Sequence, residues 1–88
     1  MSVAARITET LRRSFTPQSM ALRDDSEKHR GHGGWREGGE THFHLEMTAD
    51  AFSGQSKLAR QRAVNRALKE EFDRGLHALS MELRAPGE

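Results

Sequence analysis

The sequence predicts a single small α/β domain, ordered α-β-β-α-α-β, in which helices cover one face of a three-stranded mixed sheet. Three observations carry the prediction. Apolar residues recur every four positions from Val3 to Phe15, which is the spacing of one helix face. Two later stretches, 41–48 and 76–84, alternate apolar and polar residues, as strands with one buried side do. Between them lies a stretch with helical spacing, opened by a serine and closed by a glycine.

The first helix is expected to set Val3, Ile7, Leu11 and Phe15 along one side, with Ser2 as N-cap and Pro17 as its stop. Arg12 and Arg13 then fall in the last turn, where positive charge complements the helix dipole. Met20 and Leu22 alternate with Ala21 and Arg23 and suggest a short strand. From Glu27 to Glu40 the chain carries five glycines, with His29, His32 and Trp35 among them; this composition predicts a long flexible loop.

Thr41 to Thr48 reads as a half-exposed strand, with Phe43, Leu45 and Met47 inward and His42, His44 and Glu46 outward. Ser53 and Gly54 make a turn, and Ser56 can cap a helix from Lys57 to about Asp73 that turns Val64, Leu68 and Phe72 inward. Gly75 stops that helix. The last strand, Leu76 to Arg84, gives one parity to His77, Leu79, Met81 and Leu83.

A chain of 88 residues supports one core, so function must sit on one face or loop. Lys and Arg number 14 against 13 Asp and Glu, and this balance gives no global pull towards nucleic acid or anionic lipid. Cysteine is absent, which excludes disulfides, a thiol nucleophile and thiolate ligands from this chain. The apolar runs are short and no charged-then-apolar leader opens the chain, so a cytoplasmic protein is expected. No GxSxG, GxxxxGK or HExxH pattern occurs, and a non-catalytic role is expected.

Histidines are the side chains best suited to carry chemistry here. His77 has inward parity yet sits at its strand's entrance; it is either a core histidine satisfied by a carbonyl or a ligand at the domain edge. His29 and His32, three apart in the glycine-rich loop, are either solvated or able to converge on a metal. His42 and His44, two apart on an outward face, could pair across a cation but read more readily as surface residues of no special role. Lys57, Arg60, Arg62 and Arg66 form a short basic row along the second helix, which reads as a solvated face or as phosphate contacts.

Four segments, Gly39-Glu40-Thr41-His42-Phe43, Phe52-Ser53-Gly54-Gln55-Ser56, Arg60-Gln61-Arg62 and Gly75-Leu76-His77-Ala78-Leu79-Ser80, resemble the BolA-like family in order and spacing. That resemblance implies a domain similar to the class II KH fold. It implies that His77 ligates a [2Fe-2S] cluster shared with a CGFS-type monothiol glutaredoxin. It further implies a second ligand from the loop between the first two strands, His32 being preferred over His29 for its deeper place among the glycines. Because such clusters need thiolates, the glutaredoxin and its glutathione would supply the sulfur, and a heterodimer is implied.

The chain departs from the family at Gln61, where the family commonly has histidine; glutamine neither titrates nor ligates as imidazole does. The resemblance also implies a rival role as a DNA-binding transcriptional regulator of stress response and cell morphology, using the row Lys57, Arg60, Arg62 and Arg66. The turn Ser53-Gly54-Gln55-Ser56 lacks the GxxG clamp of KH modules.

Overall fold

The computed structural model describes residues 2–26 and 39–88. His29, His32 and Trp35, with the rest of the expected loop over 27–38, lie outside the described residues.

Helix α1 spans Val3–Phe15 and begins as expected, with Ser2 Oγ accepting from the Ala5 N–H at 3.0 Å. It ends on Thr16 in left-handed geometry, just before Pro17. Strand β1 (Ser19–Asp24) follows, then β2 (His42–Thr48) after the segment outside the described residues. A 3-10 turn at Asp50–Phe52 leads into α2 (Lys57–Ala67), capped by Ser56 Oγ on the Ala59 N–H at 3.0 Å. Helix α3 (Lys69–Asp73) and strand β3 (Ala78–Arg84) complete the order.

The helical stretch expected from Lys57 to about Asp73 is two helices, which supply the α-α of the expected order. The break falls at Leu68, whose φ of −101° and ψ of 15° leave the helical region. Leu68 is also fully buried, and the chain bends about this anchored side chain while Phe72 still turns towards the core.

The sheet order is β1-β2-β3, with β1 antiparallel and β3 parallel to the central β2. Parallel neighbours need a crossover, and here it is the α2–α3 pair. Ile7 and Leu11 of α1, Val64 and Leu68, and Phe43, Leu45 and Met47 of β2 form one core on the helix side. Phe15 and Phe52 close one end with ring centroids 5.3 Å apart. The opposite sheet face carries Arg23, His44 and Ser80 in one row, and Ala21, Glu46 and Glu82 in the next.

Two carboxylates tie α1 down. Glu71 is buried and receives three hydrogen bonds from the Arg6 guanidinium, at 3.0 to 3.2 Å, joining α3 to α1. Glu40 accepts from the Ala4 N–H at 3.2 Å, which places a carboxylate on the first turn of α1, where the helix dipole favours negative charge.

Candidate functional site at the joined starts of β2 and β3

The site grows from the turn that enters β2. Gly39 and Glu40 both take left-handed backbone, with φ of 75° and 61°. A Cβ on Gly39 would stand 3.1 Å from Asp24 Oδ2, and the Glu40 N–H donates to that same oxygen at 3.1 Å. Glycine is the residue that permits both the angle and the approach. Burial alone would push the Asp24 carboxyl up; the Ser26 hydroxyl and the N–H groups of Ser26 and Glu40 together outweigh it and hold the group below the usual range.

Ser26 is the next link. Its Oγ accepts from the N–H of Thr41 at 3.0 Å and of His42 at 3.2 Å, with Thr41 Oγ1 3.4 Å away. Ser26 is 2% exposed and Thr41 fully buried. The Thr41 carbonyl accepts from two consecutive donors, the N–H of His77 at 2.9 Å and of Ala78 at 3.1 Å. Thr41 Oγ1 lies 2.9 Å from His42 Nδ1, and the His42 and His77 rings stand 5.0 Å apart at their centroids.

The outcome is a buried imidazole at the back of an exposed one. His42 is 4% exposed, whereas His77 is open to solvent. Both expectations for these residues need correction. His77 was expected inward from the parity of Leu79, Met81 and Leu83, but the strand begins only at Ala78. Two successive N–H groups on one carbonyl leave no pleat between His77 and Ala78, so alternation does not extend back to His77. His42 does share the face of His44, yet Ser26, Thr41 and the His77 ring enclose it.

From His77 an open groove follows the free edge of β3 and is lined by Gln61, Asn65, Phe72, Leu79 and Met81. Gln61 thus lies in the groove that starts at the exposed imidazole. The arrangement leaves one ring open to solvent, with its backbone fixed from behind.

The basic row is only partly assembled. Lys57, Arg62 and Arg66 are exposed, and Arg62 and Arg66 flank Leu58, Ala59 and Ala63. Arg60 is drawn away: it donates to the carbonyls of Gln55 and Leu83 at 3.0 and 3.1 Å and forks onto Glu88 at 2.6 and 2.7 Å. Its side chain is 11% exposed, which removes it from the phosphate-contacting set expected from spacing.

The fork from Arg60, helped by the Ala85 N–H, brings the Glu88 carboxyl down to about 2. A depressed carboxyl stabilises fully above its ordinary value of 4.5 and loses that contribution as pH falls through about 2. Carboxyl-carbon NMR is expected to show Glu88 titrating near 2, and to return it towards 4.5 in Arg60→Ala. An unchanged titration in that variant would break the assignment.

The family model described as BolA-like protein matches residues 11–88. The chain belongs to the BolA-like family. It is 42% identical over 89 residues to a Sinorhizobium protein described as an uncharacterized protein in the cobS 5' region, covering all of this chain and 96% of that one. It is 39% identical over 87 residues to the Arabidopsis thaliana SufE-like protein 1, chloroplastic/mitochondrial, covering 94% of this chain and only 24% of that longer protein. The solved BolA domain of SufE1 from Arabidopsis thaliana superposes with a TM-score of 0.88 at 38% identity, over 98% of this chain and 94% of that one. The BolA-like fold expected from the four segments is therefore the fold observed.

Proposed function

We propose that this BolA-like protein is a non-catalytic regulatory partner of a monothiol glutaredoxin, with which it shares a [2Fe-2S] cluster in iron-sulfur trafficking or iron sensing. The observation that supports it is His77: an exposed imidazole whose backbone is pinned to β2 through the Thr41 carbonyl, with buried His42 packed behind it. A ligand held this way reaches a partner without losing its place in the fold.

The donor set fits such a cluster in part. Imidazole replaces thiolate on some clusters, but this chain has no cysteine, so thiolates must come from the glutaredoxin and its glutathione. His77 is one ligand and a loop histidine, His32 or His29, the second. The occurrence of a BolA domain within a SufE-like protein points the same way.

The test mixes this protein with an apo monothiol glutaredoxin, glutathione, iron and sulfide under anaerobic conditions, and records visible absorption and circular dichroism. A spectrum distinct from that of the glutaredoxin homodimer is expected, lost with His77→Ala and altered by whichever of His32→Ala and His29→Ala removes the second ligand. The same spectrum with and without this protein would overturn the reading.

DNA binding through α2 has less support, because three exposed cations, Lys57, Arg62 and Arg66, remain of four. Phosphate contacts through them would weaken steeply with salt. A salt-insensitive affinity, or none, would close that alternative.

A further inference from the structure

On the open face of the sheet, two residues beyond buried His42 along β2, a second group of side chains converges. His44, Glu46 and Glu82 each offer one ligand atom, and these three atoms lie within 4.8 Å of one another. The register produces this. His44 and Glu46 are two apart on β2 and so share a face, while Glu46 stands directly opposite Glu82 in the parallel ladder.

Two details suit this trio to a cation. Ser80, opposite His44 in the ladder, has its Oγ 2.6 Å from His44 Nδ1. Metal-binding histidines are commonly oriented by a hydrogen-bonding partner of this kind. Directly opposed carboxylates repel, and a cation held between Glu46 and Glu82 would relieve that repulsion.

The neighbouring arginines do not block the position. Arg84 reaches Glu82 at 3.1 Å, but both side chains of that pair are about half exposed, so the bridge is weak and easily displaced. Arg23 is engaged on Asp25 at 2.7 and 3.1 Å. One imidazole nitrogen with two carboxylate oxygens suits a first-row divalent ion better than calcium or magnesium, which prefer oxygen alone.

We infer that His44, Glu46 and Glu82 form a surface site for a divalent transition ion such as zinc, with Ser80 positioning the imidazole and the remaining coordination positions open to water. The site is separate from the His77 ligand of the cluster reading, and it holds or fails independently of it.

The experiment uses the full chain carrying His29→Ala, His32→Ala and His77→Ala, so that neither the loop nor the groove can bind the probe. Zinc chloride is titrated calorimetrically, and cobalt(II) by visible absorption, without any glutaredoxin. One saturable zinc per chain is expected to persist. Ser80→Ala in that background should weaken it by about tenfold, the usual scale for removing an orienting partner. Glu46→Gln combined with Glu82→Gln should abolish it, while far-ultraviolet circular dichroism confirms an unchanged fold. Arg84→Gln should tighten it by removing the competing cation. Absence of zinc binding in the starting variant, or equal binding after the paired glutamine changes, would overturn the inference.

Discussion

Phe52→Ala is expected to cost about 3–5 kcal/mol of unfolding free energy, the range for removing a buried aromatic ring from a core. Phe52 is 1% exposed, faces Phe15 with 5.3 Å between ring centroids, and carries the Arg60 guanidinium carbon 6.0 Å from its own centroid. Two elements besides its own 3-10 turn therefore lose a packing partner at once: the end of α1 and the start of α2. Small domains retain roughly 5–15 kcal/mol of stability in total, so this change should leave a visibly marginal protein. Urea denaturation is the measurement, with the midpoint falling and the slope nearly constant. A loss below about 1 kcal/mol would mean that the cavity collapses and that Phe52 does not organise this end of the core.

Ser26→Ala should be the most costly polar change, at about 2–3 kcal/mol, because a single hydroxyl serves two buried N–H groups and each loses an acceptor. Thr41 and His42 are those donors, and Thr41 in turn receives the backbone of His77 and Ala78. The effect should therefore reach beyond stability. In the glutaredoxin mixture the cluster spectrum should weaken although no proposed ligand has been touched. Ser26→Thr keeps the hydroxyl and should restore part of both. Normal stability and an unaltered spectrum in Ser26→Ala would show that the Ser26–Thr41 contacts do not support the site.

The sequence discloses those parts of this molecule that depend on local periodicity. The stripe Val3, Ile7, Leu11 and Phe15 is read correctly, as is its serine cap, because every determinant lies within one helix. The alternation of Phe43, Leu45 and Met47 predicts their burial for the same reason. Contacts between distant segments leave no such trace. His42 is buried by Ser26 and His77, which lie 16 and 35 positions away, and no pattern within β2 shows that cover. His77 escapes the parity of its strand because both its N–H and that of Ala78 turn to Thr41. The row from Lys57 to Arg66 loses Arg60 to Glu88, a partner 28 positions further on. Two of the segments that carry the family resemblance, around Thr41-His42 and around His77, fall where β2 and β3 begin side by side.

The parallel pairing of β2 with β3 also has a kinetic consequence. Thr41 and His77 are joined only after the whole crossover through α2 and α3 has closed, and such distant pairings are made late and at an entropic cost. The His77 amide, bonded to the Thr41 carbonyl, should therefore exchange its hydrogen with solvent only as fast as the β2–β3 ladder opens. Ligand-ready histidine and folded protein then become one population: a partner that selects the pinned imidazole would at the same time reject newly made or damaged chains whose last strand has not yet docked.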